Sequence, residues 1–529
     1  MNNANEPEVN VLSKNAVAAA GVKEKLLPTT RDRLFFLAAF AVCFTLFELA
    51  LGHRGIGVSI YFILLYVMSG IYLLPWKCTS FYPIFSGVLG LVLSVGFSFS
   101  FDPTVTFFSI IAVEFLYLIF VGGVSKNLVH GTDTAAVVVD AGRIMFGDSV
   151  EEIGAIFRTG KGIKDGGVLI RNIFKCALGI VIAVPLLCIV FPLLMEADGA
   201  FDAFITNITE IELGFEISAL IYAAFLCPLT CGMVFSLKHK QAKLKPKPQS
   251  DFARPKGFDP FVTAGFLGVL SLCYLLYVYS QLGYFFSAFG GDIPETVKTA
   301  ASYARRGFFE LCAISVINFV AIAAAMFKTR TERGYGVCKA FATFISAFSM
   351  MLIGTALSKM LLYIKLYGLT VRRLLPSLFM VLLALAFVLL AIRIFKRSFP
   401  YMRIFASACA VMLIFMNFVD LNALSANYNV AVYLDKDAAW HTETVEVDYL
   451  RSIAEPALPA LVRLWDETDD PEVAFHASMA IDRIENDLNF NYEQKQTDGR
   501  NWRDTTVTAI RADKALEYYH AQKNSVKTK

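Results

Sequence analysis

The sequence predicts an all-α, polytopic membrane helix bundle of about eleven spans, followed by a small C-terminal α-helical domain. Composition is the first reason: 56% of the 529 residues are hydrophobic and 18% are charged, whereas soluble chains are about half apolar and about a quarter charged. The second is that the apolar residues fall in repeated blocks of roughly 18–23 residues, each long enough to cross a bilayer. The third is a bias of Lys and Arg between alternate loops.

Five regions follow one another along the chain. They are a cytoplasmic polar tail (1–33), four-span N-terminal helical hairpins (34–122), a cytoplasmic loop (123–172), a seven-span core (173–419) and an extracytoplasmic helical domain (420–529). The tail has no early apolar segment with a small-residue cleavage site, so we do not expect a cleaved signal peptide.

The predicted spans are joined in several places by very short loops, which favours tight helical hairpins. Their approximate bounds are 34–51, 57–75, 81–101, 105–122, 174–195, 215–237, 261–288, 308–327, 340–362, 377–395 and 402–419. The third span is rich in small residues (Gly87, Gly90, Ser94, Gly96 and Ser98). Small residues let helix backbones approach closely in membranes, so we expect tight packing there.

Loop charge predicts the orientation of the bundle. With the N-terminus inside, the inside segments hold 28 Lys and Arg residues and the outside loops hold 7. Cytoplasmic loops carry the excess of these residues in membrane proteins. An odd number of spans then places the C-terminal region outside.

Three loops have distinct compositions. The 238–260 linker is basic and carries Lys-Pro-Lys-Pro, which favours attraction to anionic lipid. The 196–214 loop is acidic without Lys or Arg, and it lacks the spacing of a calcium-binding loop, so we interpret it as a solvated loop. Val137 to Phe157 has helical periodicity, which is compatible with a surface helix pair or a structured loop.

The sequence predicts no metal, no cofactor and no nucleic-acid partner. The ten cysteines lie in or beside apolar blocks and have no CxxC spacing, so we interpret them as small apolar packing residues. The six histidines form no zinc-binding pattern, and no nucleotide-binding or hydrolase motif is present. A net charge of +3 is too small to indicate nucleic acid.

Polar side chains at the predicted outer ends of spans seven to ten form a candidate polar cavity. They are Gln281, Arg305, Arg306, Glu310, Lys359, Tyr363, Tyr367 and Arg372. Helical spacing puts Arg306 with Glu310 and Lys359 with the two tyrosines on common faces, and Asn318 lies further along the first stripe. Such a cavity would suit an anionic substrate or a lipid head group. The alternative is a set of interfacial anchors and helix-capping ion pairs.

The region after residue 420 predicts a compact group of helices. Tyr449 to Leu488 has helical periodicity interrupted at Asp469–Pro471, and a third helix is predicted near 505–519. Since one helix pair cannot bury its own apolar face, we expect docking on other helices or on the membrane core. Tyr449 and Trp465 are expected in the core of the pair.

Four stretches carry a further pattern. They are Val278–Leu311 with Gln281, Tyr284 and Tyr303–Glu310; Tyr363–Arg372; Leu193–Phe201; and Asn417–Asn422 with Asn427–Val430 and Val447–Leu450. In this order they resemble an uncharacterised bacterial multipass family, the domain of unknown function of the 4173 type, with a close relative of the 4153 type. The resemblance covers roughly residues 170–505. It implies a location in the bacterial cytoplasmic (inner) membrane and supplies no activity or catalytic residue.

Two function classes fit these patterns. The first is transport or lipid handling through the outward-facing polar cavity. The alternative is a non-catalytic membrane anchor or sensor that presents the C-terminal helical domain to an envelope partner. An enzyme is the less favoured class because no catalytic motif is present. The lipid bilayer is the expected partner, and the sequence identifies neither a substrate nor a protein partner.

Overall fold

The computed structural model describes residues 28–49, 55–78, 80–99, 102–153, 190, 194, 196, 199, 215–239, 257–290, 300–330, 333–396, 398–437, 444–494 and 502–527. Within these ranges the chain is helical and has no strand, as predicted. The polar tail through residue 27, nearly all of the predicted span 174–195 and of the acidic loop, and most of the basic linker lie outside the described residues.

Seventeen helices are described, with the following bounds. They are α1 (Thr30–Leu49), α2 (Ile56–Tyr72), α3 (Tyr82–Gly96), α4 (Pro103–Val124), α5 (Ala136–Gly142), α6 (Ser149–Glu151), α7 (Phe215–His239), α8 (Pro260–Gly290), α9 (Ala300–Lys328), α10 (Tyr335–Tyr367), α11 (Val371–Phe395), α12 (Tyr401–Val419), α13 (Leu421–Leu434), α14 (Val447–Ile453), α15 (Leu458–Glu467), α16 (Pro471–Gln494) and α17 (Val507–Lys527). A π-helical turn, Arg143–Asp148, joins α5 to α6.

Six described helices contain segments long and apolar enough to cross a membrane. They are Pro103–Val124, Pro260–Ser280, Phe308–Met326, Tyr335–Tyr367, Val371–Phe395 and Tyr401–Val419. Ile56–Tyr72 and Tyr82–Gly96 are shorter apolar helices at two further predicted spans. The chain is therefore a membrane protein with several apolar helices, and the count of eleven spans stays a prediction.

The described residues fall into two compact units, 1–44 with 145–240, and 45–144 with 241–529. In the first unit Phe36 packs on Phe235, with ring centroids 5.9 Å apart. The buried Asp32 carboxylate lies 3.2 Å from His239 Nε2. The buried sulfurs of Cys227 and Cys231 are 3.6 Å apart on one face of α7, as free thiols.

In the second unit, α3 packs closely against α2 and α4 through glycines. An added Cβ at Gly87 would lie 2.8 Å from the Phe120 ring, and one at Gly90 would overlap the Tyr66 hydroxyl. That hydroxyl donates to the Val113 carbonyl at 2.6 Å. These contacts agree with the close approach predicted from the small residues of the third span.

Helices α8 to α11 share a separate apolar core in the second unit. Its most buried members include Leu267, Phe308, Ile345 and Phe387. Within this core Asn318 is fully buried, and its amide donates to Ser349 Oγ at 2.9 Å while its oxygen accepts from the Tyr274 hydroxyl. Such interhelical hydrogen bonds satisfy polar groups that the bilayer cannot.

Helices α13 to α17 share a further apolar core, and the separate C-terminal domain stays a prediction. The fully buried side chains of this core include Val430, Leu450, Leu461 and Tyr519. Trp465 packs edge-on against Tyr519 with ring centroids 4.9 Å apart, and Tyr449 packs against the same cluster. We call α13–α17 the C-terminal helices; since α13 contributes to their core, this packing unit begins at Leu421.

Candidate functional site

The structure describes five of the eight side chains of the predicted polar cavity. Gln281, Arg305 and Arg306 lie on α8 and α9, and their side chains are outside the described part. Glu310 is exposed on α9, whereas Asn318 on the same helix is fully buried. The expectation that Asn318 continues the Glu310 stripe is therefore wrong.

The tyrosines predicted to line this cavity are brought together by Arg373, the residue after the predicted Arg372. The Arg373 guanidinium lies 4.3 Å from the Tyr363 ring centroid and 6.0 Å from that of Tyr367. It donates to the carbonyls of Tyr367 and Gly368 at the end of α10. Carbonyls at a helix C-terminus lack intrahelical partners, so Arg373 caps α10 while stacking on the rings.

Arg372 and Lys359 take different positions around this cluster. Arg372 is exposed on the first turn of α11, and Lys359 is half-buried two turns before the end of α10. Among the residues of the predicted polar cavity, the exposed Arg372 is open to an anionic group. Its neighbour Arg373 is instead engaged by the two tyrosine rings.

Asn429 of α13 joins the C-terminal helices to the α10–α11 turn. Its Oδ1 accepts from Leu369 N at 2.7 Å, and its Nδ2 donates to Leu369 O at 2.8 Å. Both hydrogen-bonding groups of one turn residue are thus satisfied by one side chain. Gly368 precedes it with φ +74°, and an added Cβ there would lie 2.8 Å from Asn429 Oδ1, so this turn requires glycine.

Tyr449 of α14 lies close to the same turn. Its hydroxyl is 3.0 Å from Ser425 Oγ of α13. Burial raises the pKa of Tyr449, and the hydrogen bond to Ser425, together with the positive charges of Arg373 and Arg372, offsets part of this effect. The neutral hydroxyl therefore remains available as a hydrogen-bond donor at physiological pH.

A second connection, which we call the docking latch, consists of Ser98, Phe99, Asp420, Val507 and Thr508. Val507 N donates to Ser98 O at 2.9 Å, and Thr508 N donates to Phe99 O at 3.1 Å. The Thr508 hydroxyl lies within hydrogen-bond distance of Phe99 O and of the Asp420 carboxylate. The latch ties the start of α17 to the ends of α3 and α12.

Asp420 has a further role at the centre of the latch. It is buried, and its Oδ1 accepts from the backbone N–H groups of Asn422 and Ala423 at 3.0 and 3.2 Å, which caps α13. The sequence places Asp420 in the Asn417–Asn422 motif, and that motif predicts no contact for it. An aspartate directly before a run of helix formers is the signal that could have identified it as a cap.

A groove of about 560 Å³ lies between α14 and α16 of the C-terminal helices. It is lined by Val445, Glu446, Val447, Asp448, Tyr449, Arg451, Val473, His476, Met479, Ala480 and Arg483. Met479 is 55% exposed. Arg451 pairs loosely with Asp448 at 3.5 Å, while Arg483 makes no ion pair with a described residue. The groove combines apolar and cationic contacts, and sequence reasoning did not predict it.

Metal-ligating side chains do not converge in the described part of the chain. No three His, Cys, Asp or Glu side chains among the described residues are arranged to hold a metal ion. The clusters that do form are polar contacts between helices: the Arg373 cluster, the Asn429 contact and the docking latch.

Comparison with known proteins gives one assignment. A family model described as "Domain of unknown function (DUF4153)" matches residues 87–464, from α3 into α15. Neither the curated proteins nor the solved structures contain a match. The match includes the Arg373 cluster, Asn429 and Asp420, and it starts before the region predicted from the sequence motifs. The resemblance to the 4173 type stays a prediction. The family model covers most of the chain, which therefore belongs to the DUF4153 family, a domain of unknown function.

Proposed function

We propose that this protein is a non-catalytic membrane anchor that presents the C-terminal helices, in a fixed orientation, to a partner outside the cytoplasm. The observation that carries this proposal is the docking latch. Backbone hydrogen bonds from Val507 and Thr508 reach Ser98 and Phe99, and the Thr508 hydroxyl lies within hydrogen-bond distance of Phe99 O and of the Asp420 carboxylate. A flexible tether would need no such contacts, whereas a presented binding surface gains affinity when it is held in one orientation.

The orientation rests on where the basic residues lie in the second unit. The C-terminal helices contact helix ends near residues 55, 99, 369 and 420. The opposite helix ends carry Lys77, Lys126, Arg393 and Arg403 together with the basic 328–339 turn. Because the basic ends belong inside, the C-terminal helices belong outside.

Reporter fusions test this orientation. An alkaline phosphatase fused at the C-terminus should be active, because this enzyme folds only outside the cytoplasm. A fluorescent protein fused at residue 250 should be bright, because it becomes fluorescent inside the cytoplasm. A C-terminal fusion that is fluorescent and lacks phosphatase activity would contradict the orientation.

The groove between α14 and α16 is the surface that we assign to the partner. A photo-crosslinking amino acid at position 479 of the full-length protein should give a discrete adduct in growing cells. Arg483→Glu should lower the adduct yield about tenfold, which corresponds to about 1.4 kcal/mol. Arg511→Glu is the matched control, because Arg511 is exposed on α17 and does not line the groove. Equal yields in both variants would exclude the groove as the binding surface.

Lipid handling or transport is the second candidate function. It is supported by the exposed Arg372 beside the Arg373 cluster, at the mouth of the predicted polar cavity. Gln281, Arg305, Arg306, Glu310, Lys359, Tyr363 and Tyr367 remain candidates for that cavity, and the 238–260 linker remains a candidate for anionic lipid. An arginine that is exposed at a membrane interface can bind a phosphate group without losing internal contacts.

Substitutions of the adjacent Arg372 and Arg373 distinguish an effect on lipid binding from an effect on stability. Arg373→Gln should lower the free energy of unfolding by about 1–3 kcal/mol, because the carbonyls that it caps lose their partner. Arg372→Gln should leave that free energy within about 0.5 kcal/mol and should weaken binding to phosphatidylglycerol relative to phosphatidylcholine. Thermal unfolding in detergent and native mass spectrometry with each lipid measure the two effects. If Arg372→Gln leaves lipid binding unchanged, this candidate loses its support.

A further inference from the structure

Glu114 is a carboxylic acid in the middle of an apolar span. It lies on α4, roughly 15 Å along the helix axis from either end. The side chain is half-buried in the bundle. A charge at this depth needs a countercharge, a ligand or water, so an intramembrane carboxyl indicates a functional site.

The helices packed against α4 provide no cation at this depth. They are α2, α3, α5 and α12. Helices α2 and α3 contain no charged residue. The single charged residue of α12, Arg403, lies in its first turn, where it pairs with Asp133. In α5, Asp140 is paired with His130, near the same end of the bundle.

The nearby hydroxyl groups are committed to other partners. Tyr66 of α2 lies near Glu114, and its hydroxyl donates to Val113 O at 2.6 Å. The Tyr117 hydroxyl lies 2.7 Å from Ser69 Oγ. Besides Arg403, the titratable side chains of α12 are Tyr401, in its first turn, and Cys409. The Glu114 carboxyl itself makes no hydrogen bond or ion pair with a described residue.

The helix face on which Glu114 lies is apolar and exposed. Phe107 and Ile111, which precede Glu114 by seven and three residues, are 60% and 51% exposed. Residues at this spacing share a helix face. The carboxyl therefore borders a surface that suits lipid acyl chains, and there an unpaired carboxylate is strongly disfavoured relative to the neutral acid.

We propose that Glu114 is a proton-binding site of the membrane bundle. The carboxyl holds its proton while α4 is surrounded by apolar groups, and it releases the proton when water reaches the middle of the span. The O–H bond breaks, the proton passes to water, and the carboxylate remains. This step involves neither the docking latch nor the groove, so it stands or falls independently of the presenting function.

Reaction with carbodiimides tests the site directly. The full-length protein in vesicles of phosphatidylethanolamine and phosphatidylglycerol is treated with dicyclohexylcarbodiimide, which partitions into lipid and reacts with protonated carboxyls. Mass spectrometry of the α4 peptide should show modification of Glu114 at pH 7. A water-soluble carbodiimide should modify it at least tenfold less, while modifying the exposed Glu467 in the same sample. Modification of Glu114 by the lipid-soluble reagent should fall as the pH is raised.

Glu114→Gln provides the matched variant, because glutamine keeps the size and removes the titratable group. It should abolish the α4 adduct, and it should remove a protonated-carboxyl band from the infrared spectrum of the wild-type protein at pH 7. Absence of the adduct and of the band in folded wild-type protein would overturn the proposal. Equal modification by both reagents would also overturn it, because the site would then be hydrated at rest.

Discussion

Replacing Asp420 with alanine should lower the free energy of unfolding of the full-length protein by about 2–4 kcal/mol. The variant loses the cap of α13, which is worth about 0.5–2 kcal/mol, and removes the buried acceptor of the Thr508 hydroxyl, worth about 1–3 kcal/mol. Asp420 also has φ +53°, a backbone region that alanine adopts at a cost. Denaturation in mixed micelles measures the loss, and hydrogen exchange of the 502–527 peptide should accelerate at the same time.

Asp420→Asn is the matched control for this experiment. Asparagine retains a capping oxygen and tolerates the same backbone region, so its effect should be less than half that of alanine. If both variants unfold like the wild type, Asp420 does not join α13 to α17, and the docking latch would not hold the C-terminal helices.

Gly90→Ala should lower the free energy of unfolding by about 2–4 kcal/mol. The new methyl group overlaps the Tyr66 hydroxyl, whose ring is packed against Tyr117 and Phe120. Overpacking costs about 1–3 kcal/mol, and displacement of Tyr66 from Val113 O loses a hydrogen bond worth about 0.5–1.5 kcal/mol. The midpoint of thermal unfolding in detergent is the measurement.

Gly354→Ala is the matched control, because Gly354 lies within the apolar helix α10 and an added Cβ there would meet no atom within 4 Å. There the substitution should leave stability unchanged or raise it by up to about 1 kcal/mol, as expected from helix propensity. Tyr66→Phe in the Gly90→Ala background should recover part of the lost stability by removing the overlapping oxygen. Equal effects of Gly90→Ala and Gly354→Ala would contradict the close packing of α3.

The apolar pattern predicts the helices well because burial in lipid imposes a strict length. Six predicted spans coincide with apolar helices of that length. The third predicted span, 81–101, is a shorter helix that ends at Gly96. The chain leaves the helix there because Ser98 and Phe99 direct their carbonyls to Val507 and Thr508, and local sequence does not encode such a distant contact.

Polar contacts between helices were harder to predict, for two physical reasons. Steps of four residues drift by about 40° around a helix, so Asn318 is buried while Glu310 is exposed. Tertiary geometry also decides which of two adjacent arginines makes a contact. Arg373 reaches both tyrosines, whereas its neighbour Arg372 is exposed. The contact between Asp420 and Thr508 joins residues of two separate helices, and no periodicity could identify it.

The central claim is that the C-terminal helices dock on the helix ends through the latch, and one measurement tests it directly. Trp502 is 56% exposed in the turn that lies against α2, just before the latch. A benzophenone amino acid at this position, photoactivated in native membranes, should form an intramolecular adduct. Mass spectrometry should locate this adduct in the peptide that contains the start of α2. Adducts confined to residues 444–527, or formed only with other proteins, would show that the C-terminal helices do not dock there.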